Sequence, residues 1–197
     1  VEYSAFTGNF LFDGSVVGDA FKRGGHKNNQ KALDKYYLKP QENLSTMEWQ
    51  HATADYKKVL ESGIMGIIRD INHSIEAHKE PDEIEFLQSL KAVALTLIRW
   101  TEKCAKRVHE FARAVKDTDA RKRLKKLENA LLYTPKNPPR TFYEAILTIY
   151  ICFSADPDSV GTLDRYLTPF YENDIANGTI TENEAKEYLQ ELFLMLQ

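Results

Sequence analysis

Two thiols, a pair of histidines, a run of bases and a glycine-rich stretch are the parts of this 197-residue chain that chemistry would use. A cysteine attacks or ligates only as thiolate, which needs a nearby cation, metal or helix N-terminus. Cys104 and Cys152 each fall on an apolar helical stripe without such a neighbour, so they read as buried structural thiols. His73 and His78 are five apart, which turns them to different faces of a helix. With no carboxylate or thiol at useful spacing, no metal site is expected. Arg121, Lys122, Arg123, Lys125 and Lys126 form the most basic stretch. Nucleic-acid binding asks for aromatic interleaving or a basic domain, and neither is present, so this is a solvated helix face. Gly14 and Gly18 lack the strand–glycine–helix context and the Gly-Lys-Ser/Thr ending of a phosphate loop.

The elements that must position any site are mostly helical. Residues 1–51 are loop-rich: five glycines (Gly8, Gly14, Gly18, Gly24, Gly25) alternate with Phe6, Phe10, Phe12 and Phe21. The helical part is 52–197. Tyr56, Val59, Leu60, Ile64, Ile67, Ile68, Ile71 and Ile75 recur at three and four residues, predicting an amphipathic helix mildly interrupted by Gly63 and Gly66. Pro81 and Asp82 open a second helix, with Phe86, Leu90, Val93, Leu97, Trp100, Cys104, Val108 and Phe111 as its buried stripe. A third helix is predicted over 119–132, with Leu124, Leu127 and Leu131 inward.

Pro135, Pro138 and Pro139 end that third helix. Thr141 with Glu144 predicts a capping box for the next helix. A turn region over 156–161 and a short helix holding Leu163, Tyr166, Leu167, Phe170 and Tyr171 follow. Asn177-Gly178 stops that helix, and Thr181 with Glu184 opens the last one. The expectation is five or six helices with little sheet.

Bulk properties exclude several classes. Apolar residues at 43% and charged residues at 28% suit an ordinary globular protein. A formal charge of −3 gives no electrostatic reason to expect nucleic acid or an anionic membrane as partner. No apolar run approaches the roughly eighteen residues that a membrane span requires. Two distant cysteines and no visible secretory signal point to the cytoplasm. The chain starts at Val1, and its last segment is apolar almost to Gln197, so both ends are expected to be cuts.

Four segments, in order, resemble the glycyl radical enzymes of the pyruvate formate-lyase-like family. They are GNFLFDG (8–14), HATADYKKVLESGIMGII (51–68), PPRTFYEAILTIY (138–150) and GTLDRYLTPFYENDIANGTITENEAKEYLQELF (161–193). The last two are the most specific. The resemblance implies an α/β barrel wrapped by helices, with this chain supplying the helical wrapping and little sheet. It also implies that a glycyl radical generates a thiyl radical, which abstracts hydrogen from substrate. The cysteine and glycine loops that do this are expected outside the chain, so no catalytic residue is assigned.

Carried over by position, His51 matches a histidine that faces substrate hydroxyls in dehydratase members, and Ser159 a serine that reaches the substrate. An imidazole suits the first role, since it donates or accepts one hydrogen bond and titrates near neutral pH. The plainer alternative for His51 is a helix cap. Asp164 and Tyr166 lie in the strongest motif and read as structural, a carboxylate near a helix start and a ring against the core. Thr162 replaces the family's usual arginine and Arg165 a common glutamine. The connection from Tyr150 to Gly161 is short, while extra residues lie between Gly14 and His51, so no member's substrate is carried over.

The expected function is therefore the N-terminal part of, or a divergent short relative of, a radical lyase or dehydratase, incomplete alone. A free-standing helical module for partner binding or assembly is the competing reading. No cofactor is expected on this chain; the parent enzyme would carry a glycyl radical installed by a radical S-adenosylmethionine activase. Partners implied are a small-molecule substrate in the complete enzyme, and a homodimer or the barrel portion.

Overall fold

The computed structural model of the chain describes residues 53–155 and 159–196. The loop-rich segment 1–51, including His51 and the GNFLFDG stretch, lies outside them, as do residues 156–158 of the turn region. Six helices follow one another: α1 (Tyr56–Ala77), α2 (Pro81–Ala114), α3 (Thr118–Tyr133), α4 (Phe142–Ala155), α5 (Leu163–Ala176) and α6 (Glu182–Met195). Among the described residues the only sheet-like pairing is an isolated parallel bridge between Thr53 and Ser159.

The most apolar segment occupies the centre. Ten residues of α4, Phe142 to Ile149 with Ile151 and Cys152, are buried, which follows from a helix apolar on every face. Ile146, Leu147 and Ile149 are fully enclosed and contribute roughly 2 kcal/mol each by leaving water. Around α4 stand α1, α3, α5 and α6, while α2 packs along α1 and, most extensively, along α3. The expected inward residues of α3, Leu124, Leu127 and Leu131, are all buried.

Helix starts are mostly as the sequence predicts. Pro81 begins α2 with Asp82 and Glu83 in its first turn. Thr181 and Glu184 form the full reciprocal capping box of α6. At α4 only half of the expected box forms. Thr141 Oγ1 accepts from Glu144 N at 3.2 Å. The Glu144 carboxylate instead takes the Arg140 backbone N–H at 2.8 Å and the Arg140 guanidinium at 2.5 Å. A different orphan donor of this helix start, Phe142 N, is met by Asp174 of α5, whose buried Oδ2 accepts from it at 2.8 Å.

Two expectations need correction. Gly63 does not interrupt α1 mildly; it breaks it, with φ 63° and ψ 171°. The turn after α3 fills the break, where Pro135 and Lys136 carbonyls accept from Ile64 N (2.8 Å) and Met65 N (3.0 Å). A Cβ on Gly63 would lie 2.6 Å from the Asn137 carbonyl carbon. Gly66, by contrast, stays within the helix. The second correction concerns α2. Of its expected stripe, Cys104 and Val108 are buried and Leu97, Trp100 and Phe111 half-buried, but Phe86, Leu90 and Val93 are 63%, 41% and 69% exposed. Helix α3, 16 residues long, can cover only part of the 34-residue α2.

Candidate functional site

Thr53 and Ser159 pair where the segment entering α1 meets the segment entering α5. Asp55 caps α1 by accepting from Lys58 N at 3.0 Å, which fixes the direction in which the chain enters the helix. The next residue, Tyr56, is fully buried, and its hydroxyl donates to the Ser159 carbonyl at 3.1 Å. The Tyr56 ring faces that of Tyr166 from α5, with centroids 6.0 Å apart. Ser159 Oγ accepts from Gly161 N at 3.2 Å, closing a short hydroxyl-capped turn. Gly161 has φ 61°, and a Cβ there would meet both the Thr53 methyl and the Tyr166 hydroxyl at 3.1 Å. The positive φ favours glycine, and any Cβ would have to push both neighbours back slightly.

The arrangement leaves a serine hydroxyl on a half-buried turn with one lone pair engaged. Among the described residues no acceptor takes its proton, which an acceptor oxygen of a bound molecule could receive. Ser159 thus sits beside the described start of the segment that carries His51, while His51 itself lies outside the described residues. Asp164 is in the first turn of α5 and exposed, and Tyr166 is half-buried against the core. Both take the structural parts expected of them. Sequence reasoning missed Tyr56, which reads as one more apolar position on the α1 stripe.

The other chemically suggestive residues are absorbed by the fold. Both cysteines are buried in the core, and burial pushes the Cys104 thiol up to about 11 and the Cys152 thiol up to about 12. Such thiols stay protonated at neutral pH, which argues against thiolate nucleophiles or ligands, and both stand as buried parts of the core. His78 caps α1 with Nδ1 2.7 Å from the Ser74 carbonyl, while His73 is exposed. Among the described residues no three His, Cys, Asp or Glu side chains converge as a metal site.

Four of the five bases in the basic run have partners. Arg121 bonds the Val115 carbonyl at 2.7 Å, Lys122 pairs with Asp119 at 3.2 Å and Lys125 with Glu128 at 2.9 Å. Lys126 donates to Tyr188 Oη at 2.6 Å and lies 4.2 Å from the Tyr143 ring centroid. Tyr143 is held well above the usual phenol range by burial and by the nearby Glu191 carboxylate. This pairing ties α3 to α4 and α6 and is a packing feature.

Comparison with known proteins fits this geometry. The family description "Pyruvate formate lyase-like" matches residues 14–197, nearly the whole chain. The chain belongs to the pyruvate formate lyase-like family. Within that family, it is 33% identical over 161 residues to an isethionate sulfite-lyase of Nitratidesulfovibrio vulgaris, covering 74% of this chain and 19% of the relative. It is 29% identical over 112 residues to a 4-hydroxyphenylacetate decarboxylase glycyl radical subunit of Clostridium scatologenes, covering 53% of this chain and 12% of that one.

Among solved structures, a glycyl radical enzyme from Archaeoglobus fulgidus superposes with TM-score 0.68 at 27% identity, covering 72% of this chain and 20% of that chain. A glycerol dehydratase from Clostridium butyricum superposes with TM-score 0.65 at 27% identity, over 76% of this chain and 20% of that one. The chain therefore spans about a fifth of the length of these two structures and of the isethionate sulfite-lyase. The mainly helical architecture agrees with a helical portion of this fold. Among the described residues no helix is long and apolar enough to cross a membrane.

Proposed function

We propose that this chain is the helical N-terminal wall of a cytoplasmic glycyl radical lyase or dehydratase, and that His51 and Ser159 contact its substrate. The substrate class is a small polar molecule whose C–C, C–O, C–N or C–S bond is cleaved. Membership of the family, with relatives named as sulfite-lyase, decarboxylase and dehydratase, supports the reaction class. One observation carries the site. The Thr53–Ser159 bridge joins the described start of the His51-bearing segment to the serine turn.

The radical-bearing glycine and the hydrogen-abstracting cysteine belong, in this reading, to other parts of the complete protein. A radical S-adenosylmethionine activase would install the radical, and the complete enzyme would work as a homodimer. The chemistry supplied by that radical is hydrogen abstraction; the residues of this chain bind and orient. The test uses the complete protein treated with an activase under anaerobic conditions. His51→Ala and Ser159→Ala should each raise KM while the glycyl radical signal in paramagnetic resonance persists. The 197-residue polypeptide alone should give neither turnover nor that signal. A radical signal from it, or wild-type KM in both variants, would sink the proposal.

A second reading, a helical module for partner binding, is favoured by the exposure of Phe86, Leu90 and Val93 along one line of α2. Sedimentation decides it: a monodisperse monomer that binds no apolar dye argues against a sticky module.

A further inference from the structure

We infer that Tyr56 is a positioning residue for Ser159, acting through the backbone of the 159–161 turn; this rests on Ser159 facing substrate, as proposed above. Three anchors define that turn. The Tyr56 hydroxyl holds the Ser159 carbonyl at 3.1 Å, across 103 residues of sequence. The Gly161 N–H holds Ser159 Oγ at 3.2 Å. The Thr53 methyl and the Tyr166 hydroxyl close on Gly161, each 3.1 Å from where a Cβ would stand.

Tyr56 itself has no room to swing. It is fully buried in the first turn of α1, behind the capped Asp55, with the Tyr166 ring beside it. A phenylalanine would fill the same space without burying a hydroxyl, and the tether to the turn is a contact that only the hydroxyl makes. Fixing the Ser159 carbonyl fixes the peptide that carries its side chain. The Gly161 N–H then selects the rotamer in which Oγ accepts from the turn and keeps its proton for an outside acceptor. Tyr56 touches no substrate in this account. It determines where the serine hydroxyl is.

Tyr56→Phe removes one oxygen and keeps the ring, so the fold should survive; an unchanged helical spectrum verifies it. In the 197-residue chain, hydrogen exchange of the Gly161 amide should quicken roughly five- to tenfold, as expected for loss of one neutral hydrogen bond, with α3 amides unchanged. In the complete activated enzyme, Y56F should raise KM about fivefold at unchanged kcat and radical yield. Combined with Ser159→Ala it should add little, since both act on one contact. Unchanged Gly161 exchange in Y56F overturns the tether. Faster exchange at wild-type KM, with S159A still raising KM, overturns the positioning role and leaves Ser159 standing. Wild-type KM in S159A removes the substrate reading itself, and the role of Tyr56 with it.

Discussion

The surroundings of α4 and the first half of α2 use the same currency of periodic apolar residues and end in opposite states. In α4 nearly every residue is buried, and its start is held by groups drawn from three places: Thr141, the Arg140–Glu144 pair and Asp174. In α2 the residues Phe86, Leu90 and Val93 follow the same helical spacing yet lie in the open. The difference teaches that periodicity specifies a face, whereas burial depends on whether another element is there to meet it. Among the described helices α4 meets four neighbours, whereas α2 meets mainly α1 and α3 and keeps Phe86, Leu90 and Val93 in the open.

The sharpest way to break the well-held region is Gly63→Ala. Gly63 occupies a backbone conformation open essentially to glycine alone, and the added methyl would collide with the 136–137 backbone rather than with a movable side chain. Strain and overpacking together should cost about 3–5 kcal/mol, a large part of the stability of an ordinary domain. Urea unfolding of the variant checks this. A midpoint within error of wild type would mean that the joint between α1 and the turn after α3 is loose.

Asp174→Ala should come next. It removes the long-range cap of α4 and leaves the buried Phe142 N–H without its carboxylate acceptor. The expected loss is about 2 kcal/mol, and Asp174→Asn, which retains an acceptor oxygen, should cost less than half of that. Equal losses in the two variants would show that charge rather than capping is what matters there. Gly178→Ala is the milder glycine test. Its φ of 64° matches that of Gly63, but nothing lies within 4 Å of an added Cβ. Only the left-handed penalty of about 1 kcal/mol remains, so thermal unfolding should separate the two glycine variants clearly.

Most of this fold was legible because helices declare themselves locally. Pro81 with Asp82, Thr181 with Glu184, and the spacing of Leu124, Leu127 and Leu131 needed no distant partner to be interpreted. What escaped has its cause far along the chain. Gly63 looks like a tolerated helix glycine until the carbonyls of Pro135 and Lys136 fill the break. Asp174 looks like a surface acid near a helix end until it meets Phe142, 32 residues earlier. The site was less readable still. Ser159 was visible by resemblance alone, and Tyr56 looked like core because its hydroxyl's partner is 103 residues away.

The smallest expected effect sharpens the other side of the comparison. Phe86→Gln and Val93→Gln in the 197-residue chain should each change stability by no more than about 0.5 kcal/mol. A helical residue loses part of its exposure to its own helix, so at 63% and 69% exposure little of either side chain is covered by other elements of this chain. Replacing Val93 by glutamine also removes a β-branched residue from an exposed helical position, which offsets part of any loss. The same substitutions in the complete protein should cost more, on the order of 1–2 kcal/mol each, if another element lies on that line of α2. Equal, small effects in both settings would mean that the stripe faces water in the complete protein too. A large effect in the 197-residue chain would mean that the first half of α2 is already covered, and the contrast with α4 would disappear.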